Sequence, residues 1–189
     1  MLRVIGGRAR GRLLKVPRGR YIRPTSDRVR ESLFNILGHS FIKGVKFLDL
    51  FAGTGAVGIE AISRGAEYVT FVESNTGHIK VIHENIGLCG FQQSAEVIYG
   101  DVLLVIGRLL SHKPAYDVIF IDPPYSYKKW DILLSKIIKN VKIHDYGFLI
   151  IEHSSKVYIP DKLNNLSLHG KYVYGDTTLT VYRKGKDKS

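Results

Sequence analysis

The chain has 189 residues, of which 44% are hydrophobic, and this is enough for one domain with a full core. Its apolar runs stay well short of the ~20 residues that a membrane-spanning helix needs, and no apolar stretch follows the basic start as in a secretory signal. A single cysteine, Cys89, cannot form a disulfide within the chain, so we expect a cytoplasmic protein.

The net charge of +11 is concentrated near the N-terminus, where residues 1–30 hold ten Lys and Arg against one acidic residue. A basic segment on a nearly neutral body favours a polyanionic partner such as nucleic acid, although a solvated, solubilising tail would carry the same charge. Apolar residues and glycines interrupt the cations, a pattern more typical of a short hairpin with a basic face. The cations predicted to contact nucleic acid are Arg3, Arg8, Arg10, Arg12 and Arg23.

The predicted elements begin with a basic hairpin over residues 3–16 and a linker from Pro17 to Pro24. A helix capped by Ser26 or Asp27 then runs to about Leu37. After it, short β-rich runs at 45–50, 68–72, 95–99, 117–121 and 147–151 alternate with helical stretches near 56–64, 76–88, 102–111 and 129–140. This alternation predicts an α/β fold with a mostly parallel, doubly wound sheet. Two last strands, 171–174 and 178–183, predict an antiparallel pair at the sheet edge.

A glycine-rich turn follows the first predicted parallel strand, with Asp49 at its mouth and Gly53, Gly55 and Gly58 within it. Glycines at a strand-to-helix turn let a ligand approach the backbone closely, and the same spacing occurs in dinucleotide-binding proteins. Glu73 ends the second strand and suits a contact to ribose hydroxyls under either interpretation. The glycines alone therefore leave open whether a dinucleotide or another nucleoside cofactor binds.

Asp49 separates the two interpretations, because a carboxylate there would repel a pyrophosphate but attract the ammonium and sulfonium groups of S-adenosylmethionine (SAM). Asp101 ends the third strand; it can accept a hydrogen bond from an adenine amino group, or it caps the helix that follows. Acids at the ends of three successive strands meet at one edge of a parallel sheet and predict a pocket for a cationic nucleoside. The predicted cofactor-binding residues are Asp49, Ala52, Gly53, Thr54, Gly55, Glu73, Ser74, Asp101 and Val102.

The fourth strand leads into the turn Asp122-Pro123-Pro124-Tyr125. Because neither proline has an N–H, this turn offers mainly acceptors, the Asp122 carboxylate and the Pro123 carbonyl. Two acceptors can hold the hydrogens of an exocyclic amine and aim its lone pair at a methyl group, while Tyr125 can stack on an extruded base. Asp122, Pro123 and Tyr125 are thus the predicted catalytic residues. His153, at the end of the fifth strand, either lines the target pocket or is structural.

Further motifs lie at both ends of the chain: Arg3-Val4-Ile5-Gly6-Gly7, the run from Arg23 to Glu31, Glu152-His153 and Tyr174-Gly175-Asp176-Thr177. Together with the glycine loop and the Asp-Pro-Pro-Tyr turn, they resemble the bacterial RsmD-type 16S ribosomal RNA (guanine-N2)-methyltransferases over nearly the whole chain. The resemblance implies a class I, Rossmann-like SAM-dependent methyltransferase domain over 23–184. We expect residues 1–22 to form a basic hairpin extension and residues 185–189 a basic tail.

The resemblance also implies functional roles for particular residues. Asp49, Gly53, Glu73 and Asp101 would bind SAM, and Asp122 and Tyr125 would hold a guanine of 16S rRNA. The implied partner is the small ribosomal subunit or its assembly intermediate, with RNA contacts from the N-terminal arginines, Tyr125 and His153. We expect a monomer without a metal, since the histidines show no metal-ligand spacing.

Other functions share part of this pattern. A DNA adenine-N6 methyltransferase uses the same Asp-Pro-Pro-Tyr chemistry, but it usually carries a substantial target-recognition region that this chain has little room for. A protein-glutamine methyltransferase is disfavoured because the corresponding motif begins with Asn. A non-catalytic RNA-binding assembly factor with a vestigial pocket is a third alternative, against which the intact carboxylates argue. A dehydrogenase fits the pattern least well, and measured binding of a nicotinamide cofactor would be needed to support that hypothesis.

Overall fold

A computed structural model describes residues 1–17, 25–108 and 112–186. Within these residues, eight strands form one sheet in the order β3-β2-β1-β4-β5-β8-β7-β6. The strands are β1 (Lys46–Leu50), β2 (Tyr68–Glu73), β3 (Ala95–Tyr99), β4 (Tyr116–Ile121), β5 (Ile143–Ser154), β6 (Lys162–Leu163), β7 (Leu166–Tyr174) and β8 (Thr177–Lys184). The α-helices are α1 (Asp27–Leu37), α2 (Ala56–Arg64), α3 (Thr76–Cys89), α4 (Val102–Arg108) and α5 (Trp130–Asn140). Strands β1 to β5 are parallel, and β6 to β8 are antiparallel to their neighbours.

Helices cover both faces of the parallel part of the sheet, so the sheet separates two apolar cores. Successive residues of β1 show this division, since Phe47 packs with α1, α2 and α3 while Leu48 and Leu50 pack with α4 and α5. The strand order reverses between β1 and β4, which are neighbours although β2 and β3 lie between them in the chain. In a doubly wound sheet, the crevice at the carboxyl ends of strands on either side of such a reversal is the usual place for a ligand.

The predicted α/β class with a mostly parallel sheet is confirmed, and α1 begins where its cap predicted. The Ser26 hydroxyl accepts a hydrogen bond from the Val29 N–H at 3.2 Å. The predicted antiparallel end is also present but larger, because β6 adds a short third strand and β7 starts at Leu166. Strand β5 begins at Ile143, earlier than predicted. Residues 109–111, the predicted last turn of α4, lie outside the described residues.

The N-terminal arm, residues 1–17, differs from the predicted two-stranded hairpin. One antiparallel bridge joins Arg3 to Leu13, and a 3₁₀ turn at Gly7–Ala9 lies between them. The arm is fixed to the body, because the Ile5 and Gly6 N–H groups each donate to the Glu60 carboxylate of α2 at 2.7 Å. These bonds and the arm's buried apolar residues favour one rigid orientation of its exposed cations. The buried apolar residues of the arm are Val4 and Leu14.

Among the described residues, every helix is too short or too polar to cross a bilayer. The same part of the chain contains no group of three or more His, Cys, Asp or Glu side chains arranged to hold a metal ion. Residues 18–24, which include the rest of the predicted linker and Arg23, lie outside the described residues, as do 187–189.

Candidate active site

A cavity of about 740 Å³ opens at the carboxyl edge of the sheet, at the reversal of strand order between β1 and β4. The glycine loop after β1, the end of β2, the turn after β4 and the end of β5 all contribute to its wall. The cavity is also lined by residues around the beginning of α1, namely Thr25, Ser26 and Val29. The volume falls within the range of small-molecule sites. One cavity therefore joins the predicted cofactor loop to the predicted catalytic turn.

Asp49 is a buried acid at the centre of the cofactor side. Asp49 is 2% exposed, and its carboxylate accepts a hydrogen bond from the Gly58 N–H at 3.0 Å. Burial raises the pKa of Asp49 to about 8, with a further rise from the nearby Glu73 charge. A cation bound beside Asp49 would stabilise its ionised form. Gly58 serves this site by packing, since a Cβ there would meet the Phe71 ring at 2.3 Å.

Glu73 joins the end of β2 to the glycine loop through three backbone hydrogen bonds. Its carboxylate accepts from the Gly53 N–H at 2.8 Å, the Ser74 N–H at 2.9 Å and the Asn75 N–H at 2.8 Å. Phe51, in the same loop, has a left-handed φ of 61°, which is unfavourable for a bulky residue and typical of functional sites. The bonds to Glu73 therefore tie the glycine loop to the end of β2. Four further predicted cofactor residues line the cavity: Ala52, Gly53 and Thr54 of the loop, and Ser74 beside Glu73.

Three residues of the predicted cofactor set are not among those that line the cavity. Gly55 has a left-handed φ of 74° and packs against Ile82, so it shapes the loop from behind. Asp101 is exposed and caps α4, where its carboxylate accepts from the Leu103 N–H at 2.9 Å. Val102 is buried in the core. The cap uses Oδ1 of Asp101, and a contact from this residue to adenine stays a prediction.

Asp122 lines the same cavity and comes immediately after β4. Its Oδ2 accepts a hydrogen bond from the Thr25 hydroxyl at 3.2 Å. Burial raises the pKa of Asp122 well above its usual range, and the Glu152 and Asp49 charges raise it further, while the Thr25 hydrogen bond opposes the shift. The cavity therefore holds Asp122 among other acids, and Thr25 is the contact that favours its ionised form.

The rest of the Asp-Pro-Pro-Tyr turn presents an aromatic ring at the mouth of the cavity. Tyr125 is 49% exposed, and its hydroxyl shares a 2.5 Å hydrogen bond with the Thr177 hydroxyl at the start of β8. Pro123 is buried and also lines the cavity. Tyr127 lines the inner wall and packs edge-on against Phe51, with ring centroids 5.4 Å apart. The arrangement provides an accessible ring beside a carboxylate and an apolar wall behind them.

His153, the other predicted contact to the target, is not among the residues that line the cavity. Its Nε2 lies 2.7 Å from the Thr180 hydroxyl and its Nδ1 lies 2.9 Å from the Ser154 carbonyl oxygen. Burial lowers the pKa of His153, so a neutral imidazole is favoured. These contacts match the structural alternative, in which the ring joins β5 to β8.

Sequence reasoning missed several residues that line the cavity. Thr25 and Thr177 belong to sequence motifs to which no cavity role was assigned: Thr25 lies in the run before α1, and Thr177 is the first residue of β8. Glu152 is the neighbour of His153 and lies in the cavity with 6% exposure. His78, on the first turn of α3, lines the cofactor side. A strand's alternation of faces would have indicated that Glu152 and His153 cannot both reach the cavity.

The predicted RNA-binding cations of the arm are exposed. The arm is also tied to the cofactor loop, because the Asn85 side chain bonds both the N–H and the carbonyl of Lys15 at 2.7 and 3.0 Å. The same Asn85 amide donates to the Thr54 carbonyl at 3.0 Å. A ligand bound to the arm therefore meets a surface fixed relative to the cavity. The exposed arm cations are Arg3, Arg8, Arg10 and Arg12.

Known proteins resemble this chain over nearly its full length. The family model "Conserved hypothetical protein 95" matches residues 2–183. Ribosomal RNA small subunit methyltransferase D of Escherichia coli strain K12 is 31% identical over 183 residues, which cover 97% of this chain and 90% of that protein. The Bacillus subtilis protein YlbH is 36% identical over 97% of this chain and 99% of its own length. The solved structure of the E. coli methyltransferase yhhF superposes with a TM-score of 0.84 at 30% identity, covering 98% and 99% of the two chains.

The fold and the cavity define the class: a Rossmann-like α/β protein of the class I methyltransferase type, with a glycine loop after β1 and an Asp-Pro-Pro-Tyr turn after β4. Within that class, the chain belongs to the Conserved hypothetical protein 95 family, which includes the RsmD-type methyltransferases. The resemblance drawn from the sequence motifs is confirmed at this level.

Proposed function

We propose that this protein transfers a methyl group from SAM to the exocyclic N2 amine of a guanine in 16S rRNA of the small ribosomal subunit. The observation that carries the proposal is one cavity that is lined by both the buried acid Asp49 and the acceptor turn at Asp122. Asp49 suits a cationic nucleoside, and the turn suits a group that only donates hydrogen bonds.

The residues of the cofactor side fit SAM on their chemistry. Asp49 is a buried carboxylate whose ionised form needs a cation nearby, and SAM carries both an ammonium and a sulfonium. Glu73 is fixed by the loop N–H groups and retains acceptor capacity for ribose hydroxyls. Gly53 has a left-handed φ of 57° and leaves the ligand side of the loop without a Cβ. When bound, SAM would supply an electrophilic methyl group.

On the substrate side, the chain's residues can orient an amine. The Asp122 carboxylate, with one oxygen held by Thr25, accepts an amine hydrogen through its remaining lone pairs. A second amine hydrogen can go to the Pro123 carbonyl, so the nitrogen lone pair is left free for the methyl carbon. Tyr125 can stack on the base and hold it out of the RNA. The ionised Asp122 is then placed to take the proton that the methylated amine loses.

The identity of the substrate rests on the family and on the arm. The E. coli relative is a small-subunit rRNA methyltransferase, and the arm presents arginines on a fixed surface. Phosphates are the ligands that such a surface attracts in any RNA. A DNA adenine amine would satisfy the same Asp122 acceptor, so this is the second candidate that the test must separate. We further propose that the protein acts as a monomer, with the arm and the methyltransferase domain as one unit.

The variant Asp122→Asn tests the catalytic half of the proposal. It keeps the side-chain volume but replaces one acceptor oxygen with a donor amide, which would face the donors of the substrate amine. Single-turnover methyl transfer to small subunits should fall about 100-fold or more, in line with the ~2.7 kcal/mol that one preorganised polar contact contributes. The affinity for SAM, measured by calorimetry, should change by less than about tenfold.

Two further variants make the result specific. Asp145→Asn removes an exposed carboxylate at the amino end of β5, away from the cavity, and should transfer methyl groups at the wild-type rate. Tyr125→Ala should reduce transfer through the ~1–3 kcal/mol of lost stacking, whereas Tyr125→Phe should keep most of the activity. Near-normal transfer by Asp122→Asn would contradict the acceptor function of the turn.

A further inference from the structure

Glu152 is a buried carboxylate of the cavity that the function proposed above does not use. We propose that Glu152 is the residue that selects guanine, by accepting a hydrogen bond from the ring N1–H while Asp122 holds the neighbouring N2 amine. This inference rests on the proposed guanine-N2 activity and assigns its base specificity to one side chain.

The sheet places the two carboxylates next to each other. Strands β4 and β5 are parallel neighbours, and Ile121 pairs with Ile151, so Asp122 and Glu152 occupy the next register position. Phe120 and Ile150, two residues earlier, pack in the core on the α1 side of the sheet, and the alternation of strand residues directs both acids toward that side.

Burial and electrostatics agree with this placement. Both acids line the cavity, and Glu152 is only 6% exposed. The Glu152 charge is close enough to raise the pKa of Asp122. Two carboxylates that repel each other in a buried site are stabilised by a ligand that brings a donor to each of them.

Guanine is the base whose edge matches two adjacent acceptors. Its N1–H and its N2 amine are neighbouring donors. Adenine presents its amine beside the lone pair of N1, and cytosine presents its amine beside the lone pair of N3. A carboxylate at the position of Glu152 would bond guanine and would face a lone pair in the other two bases, a contact that is repulsive.

The same contact would also assist the reaction. The N2 lone pair of guanine is delocalised into the ring, and this makes the amine a weak nucleophile. A carboxylate that accepts the N1–H hydrogen bond increases electron density on the ring, including N2, as the methyl transfer proceeds. Glu152 would therefore act on the rate as well as on the choice of base, so its loss should lower transfer to guanine itself.

The test compares two targets with matched variants. The substrates are small subunits that carry either guanine or adenine at the nucleotide where the methyl group is mapped. Wild type should prefer guanine strongly, because a site built to bond an N–H rejects an analogue without it by orders of magnitude. Glu152→Gln keeps the side-chain volume and can turn its amide donor toward adenine N1. It should reduce single-turnover transfer to guanine at least tenfold and reduce the guanine-to-adenine ratio at least tenfold.

Two controls separate this effect from a general loss of structure. Glu67→Gln removes an exposed carboxylate just before the amino end of β2 and should keep the wild-type ratio. Glu152→Gln should also bind SAM with an affinity within about threefold of wild type, since the cofactor acids Asp49 and Glu73 are unchanged in this variant.

The possible results are distinguishable. If wild type methylates guanine N2 and Glu152→Gln retains the wild-type ratio, the assignment of Glu152 is wrong while the proposed function stands. If wild type methylates adenine or no base at all, the proposed function fails and the assignment fails with it. A lower ratio in Glu152→Gln, with SAM affinity intact and Glu67→Gln unchanged, supports the assignment.

Discussion

Binding of SAM is expected to release a proton from Asp49. In the free protein, burial raises the pKa of this carboxyl to about 8, so at neutral pH the group is mostly protonated. A sulfonium and an ammonium bound nearby would favour the carboxylate and lower its pKa again. The cofactor therefore binds best to a form of Asp49 that is a minority species in the free protein.

The size of the effect follows from the pKa of Asp49. With a pKa of about 8, the free carboxyl is roughly nine-tenths protonated at pH 7, so binding should release close to one proton per cofactor. Between pH 5.5 and 7, the dissociation constant should then fall by nearly tenfold for each pH unit. The α-amino group of SAM, with an ordinary pKa of about 7.7–8.0, stays protonated over this range and does not obscure the trend.

Calorimetry in buffers with different ionisation enthalpies measures the released proton directly. The observed binding enthalpy should depend on the buffer in wild type and in Asp122→Asn, and it should lose this dependence in Asp49→Asn. A dissociation constant that stays flat from pH 5.5 to 7, with the same enthalpy in every buffer, would refute the argument that Asp49 loses a proton when the cofactor binds.

Three further predictions concern other contacts of the site. Thr25→Val removes the hydrogen bond that favours ionised Asp122, so the acidic limb of the pH–rate profile should move to higher pH and the rate should recover in alkaline buffer; Thr25→Ser should keep the wild-type profile. Glu73→Ala should weaken SAM binding by ~2–3 kcal/mol. A dissociation constant that calorimetry places within twofold of the wild-type value would contradict this. Replacing three exposed arm arginines with Gln should reduce the slope of log affinity against log salt by roughly 0.7–0.9 for each lost phosphate contact, and an unchanged slope would exclude the arm from RNA binding. These arginines are Arg8, Arg10 and Arg12.

The arm must be tested by substitution because deletion would damage the fold. Val4 and Leu14 are buried in the core, and Glu60 accepts two backbone hydrogen bonds from the arm.

The positive charge of the arm could be predicted from the sequence, because each Lys and Arg can be counted directly. The attachment of the arm to the rest of the protein depends on Glu60 and Asn85, which lie more than 50 residues away in the chain. No local sequence pattern could therefore predict this attachment.

Elements that depend on local signals were predicted well, and elements that depend on distant partners were not. Helix α1 starts at its cap because Ser26 and Val29 are three residues apart. The first half of β5 is different, because it lacks the apolar pattern of a strand: His144 and Asp145 are exposed, and Tyr146 has a left-handed φ. This part of the strand forms by pairing with β4. Pairing of this kind cannot be detected from one stretch of sequence.

The candidate site follows the same division. Asp49, Glu73 and Asp122 were predicted because each ends a strand at the carboxyl edge of the sheet. Asp101 carries the same signal, and its Oδ1 also caps α4, so its contact with the cofactor stays a prediction. Thr25 touches Asp122 across 97 residues of chain, a contact that only the folded structure reveals.

The chemical identity of the methylated base tests the central proposal most directly. The protein would be incubated with labelled SAM and, in parallel, with small ribosomal subunits, naked 16S rRNA and DNA, and the methyl group would be mapped by mass spectrometry. We expect N2-methylguanine at one nucleotide of 16S rRNA, formed best on the subunit or its assembly intermediate. N6-methyladenine in DNA, or the absence of transfer to any of these substrates, would contradict it.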